Sequence, residues 1–207
     1  MKKILVTQRV DVVQAYSERR DAIDQRWANF LISINILPIF CPNNKNYLQA
    51  LLADQDIQGV IFTGGGSLKK YGGDSVERDQ MEQYILSWAI ESNVPLLGVC
   101  RGMQVIQDYF GVKLDIVENH VGVRHKLNVN QGLRLTRFIE TFDDVNSFHN
   151  LGTSQSNKNL LPIATSDDNI IMAVEHPDKK IYGVMWHCER ENPFKESDKN
   201  LVQHIFF

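Results

Sequence analysis

Leu96-Leu97-Gly98-Val99-Cys100-Arg101-Gly102-Met103-Gln104 is the stretch whose reading sets the architecture of this chain. The apolar run Val94-Pro95-Leu96-Leu97 reads as a buried strand, and a helical pattern opens directly after Cys100. Such a corner is tight, and Gly98 and Gly102 let strand and helix close around it. The corner residue is forced into strained backbone angles, and its side chain is pushed out above the sheet edge. Here that residue is a cysteine. A helix N-terminus stabilises negative charge and the thiolate is the reactive form of cysteine, so the position suits a nucleophile.

Most free cysteines are simply small buried hydrophobes, so the corner needs support from elsewhere. Ile181-Tyr182-Gly183-Val184-Met185-Trp186-His187-Cys188-Glu189 reads as a strand ending in His187, with Glu189 two positions on. Positions i and i+2 of an extended chain point to one side, which puts imidazole and carboxylate within hydrogen-bond reach. Cys100, His187 and Glu189 then supply a nucleophile, a general base and an acid that orients the base. Ile61-Phe62-Thr63-Gly64-Gly65-Gly66 places a glycine run after another strand. It is neither a dinucleotide fingerprint nor a P-loop: no helix opens on a correctly spaced third glycine, and Lys69 and Lys70 lie outside a Gly-Lys-Ser/Thr motif. A plain flexible turn and a cradle of backbone N–H groups both remain open.

Around these motifs strands and helices alternate. Ile4–Thr7, Ile36–Phe40, Gly59–Thr63 and the elbow strand are separated by helical patterns carrying Trp27, Phe30, Leu31 and Ile34, then Tyr47–Leu52, then Arg78–Glu91. A helix over Met103–Phe110 follows. This alternation implies an α/β fold with a mostly parallel sheet flanked by helices on both faces. Residues from about 113 to 190 have more strand character. Gly132–Phe138 and Ile170–Glu175 are expected to add antiparallel strands, before a last helix over Asp198–Ile205.

Length and composition suit one domain over residues 1–207. Hydrophobic residues make up 43% and charged residues 23%, close to globular averages, so disorder is not expected. The net charge of −3 and the lack of a basic block argue against a nucleic-acid partner, and the apolar runs are strand-sized, against a membrane span. Met1-Lys2-Lys3 is like a signal n-region only briefly, and Ile4–Thr7 is read as the first strand. Cys41, Cys100 and Cys188 are an odd set without a disulfide framework, which fits a reducing cytoplasm.

The elbow GVCRGMQ, the late GVMWHCE and the glycine run resemble those of class I glutamine amidotransferases of the peptidase C26 type. Glu77-Arg78-Asp79 and Val145-Asn146-Ser147-Phe148-His149 are similar to the stand-alone γ-glutamyl hydrolase branch. The ordered motifs span nearly the whole chain. The resemblance implies a flavodoxin-like fold, no cofactor or metal, and a small-molecule γ-glutamyl substrate. That substrate is expected to be γ-glutamyl-CDP-amidate, as in bacterial capsule pathways, or a γ-glutamyl-amine. A glutaminase subunit feeding a separate synthetase partner is the alternative. The resemblance also implies an oxyanion hole from an amide near Gly65 or Gly66 and that of Arg101, and glutamyl contacts from Gln104, Ser147, Phe148 and His149.

Two positions depart from the family pattern: Cys188 stands where proline is usual and Met185 where glutamine is common. Both are expected to pack. His120 and His125 with Glu118 nearby lack regular metal-ligand spacing and are expected to serve the substrate or the loop. Arg124, Lys126, Lys69 and Lys70 are the candidate partners for a phosphate-bearing leaving group.

Overall fold

The computed structural model describes residues 1–207. The first half runs β1 (Lys2–Thr7), β2 (Arg9–Val13), β3 (Glu18–Ala22), α1 (Arg26–Ser33), β4 (Ile36–Cys41), α2 (Lys45–Asp54), β5 (Gly59–Phe62), α3 (Val76–Glu91), β6 (Leu96–Val99) and α4 (Arg101–Tyr109). It continues with β7 (Asp115–Ile116), β8 (Val121–His125), β9 (Asn128–Val129), α5 (Thr136–Ile139), β10 (Val145–Phe148) and β11 (Leu151–Gly152). β12 (Leu161–Thr165), β13 (Ile171–Glu175), β14 (Ile181–Val184) and α6 (Glu196–Phe206) complete the chain.

An eight-stranded sheet has the order β4-β1-β5-β6-β14-β13-β12-β9. The run from β4 to β14 is parallel, and β13, β12 and β9 continue it antiparallel. Every residue of β5, β6 and β14 is buried, as parallel strands covered on both faces must be. Gly59 and Phe62 stand an odd number of positions apart on β5 and so face opposite sides. A Cβ at Gly59 would meet Phe206 of α6, whereas Phe62 abuts Gly102 of α4, so helices cover both faces. The resulting apolar cluster is continuous from Ile4 to Phe206.

Two segments differ from the sequence expectation. Gly132–Phe138 is a turn leading into the short helix α5, not a strand. The Glu175 carboxylate accepts the backbone N–H groups of Arg134 and Leu135 at 3.1 and 3.2 Å, and Thr136 Oγ1 accepts that of Leu133 at 3.1 Å. Side chains thus satisfy donors that a partner strand would otherwise take. Residues 9–22 form the hairpin β2–β3, which carries no strong strand signal: Glu18-Arg19-Arg20-Asp21 is charged on both faces.

Candidate active site

β6 and α4 meet at Cys100, whose φ of 53° and ψ of −106° lie where side-chain-bearing residues rarely sit. Its N–H donates to Val184 O at 2.8 Å, tying the corner to the end of β14. Two missing side chains make the corner possible. A Cβ at Gly98 would lie 2.5 Å from the Gly102 backbone, and one at Gly102 would strike the Phe62 carbonyl. This close approach requires glycine at both positions.

Past β14, buried Met185 and Trp186 lead to His187. Asn146 of β10 clamps its backbone: Oδ1 accepts the His187 N–H at 2.9 Å, and Nδ2 donates to His187 O at 2.9 Å. His187 Nδ1 lies 2.7 Å from Glu189 Oε1. A carboxylate accepts, so this nitrogen carries the proton and the ring orientation is set. Cys100 is the other group that acts on the ring. Burial alone would lower the His187 pKa, but the hydrogen bonds to Cys100 and Glu189, with their charges, outweigh it and raise it to about 9. A Cβ at Gly64 would come 2.5 Å from His187 Cε1, so the glycine run also makes room for the imidazole.

Cys188 stands where the resemblance expects proline, and the His187–Glu189 contact forms with it in place. It is buried between the two site residues, in a turn closed by Arg190 N–H to His187 O at 3.1 Å. Burial pushes its thiol well above the ordinary range, so it stays neutral and packs as expected.

The glycine run is aimed by Arg78. Its buried guanidinium, carried by α3, donates to Thr63 O at 2.7 Å, Gly64 O at 3.2 Å and Gly65 O at 2.8 Å. In a planar trans peptide the N–H points opposite to the C=O. Holding the Gly64 and Gly65 carbonyls therefore turns the N–H groups of Gly65 and Gly66 away from Arg78. Both glycines have positive φ, 90° and 73°, and a Cβ on Gly66 would meet nothing within 4 Å. Arg78 also pairs with Glu82 at 3.0 Å, and Glu82 binds Arg101 and accepts from Thr7 Oγ1 at 2.7 Å. Burial alone would raise the Glu82 carboxyl, but Arg101 and Arg78 hold it below its usual value. The Arg101 side chain thus points into the core, where it also pairs with Asp79. Its backbone N–H stays in the first turn of α4, where no intrahelical acceptor exists.

Gln104 is buried, one turn along α4, and its Nε2 donates to Leu151 O at 3.0 Å. Phe148 is half exposed, with its ring 5.9 Å from that of His187 and the Arg190 guanidinium 4.8 Å from its centroid. Ser147 and His149 turn inward. Ser147 Oγ donates to His120 O at 2.6 Å, and both His149 ring nitrogens are engaged, by Leu151 O and by His120. Of the basic candidates, Arg124 is tied to Asp144 and Glu191 and Lys70 to Asp108, leaving Lys69 and Lys126 without an ion-pair partner. A cavity of about 540 Å³ at the far end of α4, lined by parts of 111–117 and 152–157, contains none of these groups.

Three buried polar contributors, Arg78, Glu82 and Asn146, were not singled out from the sequence as site residues. Arg78 and Glu82 share the apolar face of α3 with Met81, Ile85 and Ala89. A charged i,i+4 pair on an apolar stripe is a readable signal of a buried ion pair. Asn146 has no such signal, because its role depends on the backbone of His187, 41 residues away in the chain.

The family model for peptidase C26 matches residues 4–189. The chain belongs to the peptidase C26 family. It is 32% identical to the γ-glutamyl-CDP-amidate hydrolase of Campylobacter jejuni, with 90% of each chain covered. It is 27% identical to a glutamine-hydrolysing GMP synthase subunit of Methanosphaera stadtmanae, over 80% of this chain and 82% of that one. In fold it is similar to a GMP synthase subunit protein from Thermoplasma acidophilum, with a TM-score of 0.72 at 18% identity, covering 100% and 92% of the two chains. A glutamine amidotransferase from Thermotoga maritima aligns with a TM-score of 0.66 at 12% identity, covering 99% and 96%. This C26 chain is an amide-bond hydrolase of the glutamine amidotransferase class, with the mixed, mostly parallel sheet of that class. No helix is long and apolar enough to cross a membrane.

Proposed function

We propose that this C26 hydrolase cleaves the γ-glutamyl amide bond of a small conjugate and releases glutamate through a cysteine thioester. The observation that carries the reading is the His187–Glu189 pair at 2.7 Å, on an imidazole whose pKa Cys100, at its strained corner, helps to raise. The Cys100 sulfur attacks the γ-carbonyl. The resulting oxyanion is met by backbone N–H groups of Gly65 or Gly66 and of Arg101, a type of contact whose loss costs about 3–4 kcal/mol of transition-state stabilisation. The His187 imidazolium gives its proton to the departing nitrogen as the carbonyl re-forms. The imidazole then takes a proton from water as that water attacks the thioester, and returns it to the departing sulfur. Glu189 keeps the ring aligned throughout.

The pH dependence follows from the His187 position. The imidazolium is the proton donor for acylation, so kcat/KM falls as pH rises through about 9. Glu189 is one of the groups that raises this value, so Glu189→Gln moves the alkaline limb to lower pH, and a pH–kcat/KM profile of both proteins measures the displacement. The stability contribution has the same sign. It is complete below the ordinary value of 6.5 and disappears as pH rises through about 9.

γ-Glutamyl-CDP-amidate is the favoured substrate, supported by the 32% identity to the Campylobacter hydrolase. A second reading, a glutaminase that passes ammonia to a separate synthetase, is favoured by the likeness to GMP synthase subunits. Glutamate release by the purified chain separates them, using glutamine, γ-glutamyl-γ-aminobutyrate and γ-glutamyl-CDP-amidate. Turnover of a conjugate well above that of glutamine is expected. Silence on all three by a folded chain would favour the partner-dependent glutaminase.

A further inference from the structure

Behind the segment Ser147–Gly152 three hydrogen bonds run in series. Asp168 Oδ2 lies 3.0 Å from His120 Nε2, His120 Nδ1 lies 3.2 Å from His149 Nε2, and His149 Nδ1 lies 3.0 Å from Leu151 O. Both ends of the series are acceptors. Leu151 O is a carbonyl, and Asp168 is ionised: burial opposes its charge, but hydrogen bonds from Ser166 and His120 hold its pKa at about 2. Each of the three bonds needs its own proton. A neutral imidazole carries one N–H, so two neutral rings supply two protons where three are required.

We propose that His120 and His149 share one extra proton, and that this proton fastens the Ser147–Gly152 strap to the loop before β8. Of the two rings only His120 touches a carboxylate, Asp168 at 3.0 Å. His149 faces a carbonyl, and burial with the neighbouring His120 lowers its pKa to about 4, so the extra proton is placed between the rings on the Asp168 side. The rest of the surroundings agree. His125 stacks on His120 with centroids 4.2 Å apart, and burial and the His120 charge lower its pKa, so it stays neutral. Asp168, in the loop after β12, favours the cation through its contact with His120, Asp167 and Asp168 act on His125 in the same sense, and His187, beyond β14, opposes charge at His149.

Loss of the proton leaves two ring lone pairs facing each other across 3.2 Å, so one buried bond becomes a repulsive contact. The remaining ties are the Ser147 hydroxyl and the His149 N–H, both donated to His120 O at 2.6 and 3.0 Å. The strap also carries Leu151 O, which holds Gln104. On the γ-glutamyl reading above, which this part of the inference rests on, the charged clasp orders the glutamyl pocket. His120, His149 and Asp168 are then positioning residues, and substrate affinity depends on pH apart from the chemistry of His187.

The test uses the full chain as Cys100→Ala, labelled with ¹⁵N-histidine, with L-glutamate as the probe. A ring with both nitrogens protonated at pH 7, lost in His120→Gln, is expected. Above the titration of that ring, amide exchange of residues 147–152 should accelerate and glutamate should bind about fivefold to tenfold more weakly. Asp168 is exposed, and Asp168→Asn keeps an acceptor oxygen while removing the charge. It should move the ring titration, the exchange and the affinity profile together to lower pH, by about 1–3 units. A purely structural contact would change affinity equally at every pH. Neutral His120 and His149 rings at pH 7, or strap exchange that ignores the titration, would overturn the clasp. A titrating clasp with no glutamate binding at any pH would uphold it and overturn the γ-glutamyl reading instead.

Discussion

Cys100→Ala removes glutamate release by about 10⁴-fold or more, the scale expected when a nucleophile that acts as a unit with its base is deleted. The protein remains folded. The substitution takes away one sulfur atom at a nearly buried position and leaves the corner glycines, the Val184 hydrogen bond and the His187–Glu189 pair untouched. Stopped glutamate assays and a thermal melt measure the two halves of the result. A companion measurement reports on the intermediate: wild-type protein quenched with acid during turnover should carry a γ-glutamyl adduct on Cys100 by mass spectrometry. Full hydrolase activity in the alanine variant would sink the mechanism, and with it the roles given to His187 and Glu189.

The second large effect is at Arg78. Its side chain is 1% exposed and donates to three consecutive carbonyls as well as to Glu82. Arg78→Met keeps much of the volume but strands those acceptors and leaves Glu82 to Arg101 and Thr7. Breaking a buried ion pair from one side costs about 3–5 kcal/mol. For a chain of this size that lowers Tm by about 6–20 °C. Activity should fall further than stability requires. With the carbonyls released, the glycine N–H groups are no longer aimed, and loss of one aligned donor costs about 10²–10³-fold in kcat. The assay is kcat at a temperature well below the new melting point. A variant with an unchanged melt and unchanged kcat would show that the glycine run orients itself.

These two residues also mark how far a reading of the chain alone carries. The elbow is legible because its physics is local: a strand-length apolar run, two glycines and a helix start lie within nine residues. His187 and Glu189 are legible for the same reason, since i and i+2 spacing in an extended segment decides which side both occupy. The parallel sheet follows from the alternation of short apolar runs with helical periods. Arg78 was visible only as part of a motif, and the hairpin β2–β3 and helix α5 were not visible in their true form. In the hairpin neither strand has a fully buried residue, and Arg19 and Asp21 bond to Glu77 and Asn43, which are distant in the chain. In α5, the carboxylate of Glu175, forty residues later, takes the backbone donors.

The sequence by itself determined the fold class and singled out the residues proposed as nucleophile, base and acid, because periodicity, corner geometry and residue type are short-range properties. Tertiary structure alone decided what aims them. Asn146 gripping the His187 backbone, Arg78 turning the glycine carbonyls, and His120 meeting His149 and Asp168 all join residues distant in the chain. Such pairings have no periodic signal, since a hydrogen bond between buried polar groups depends on direction and distance that exist only once the sheet has closed.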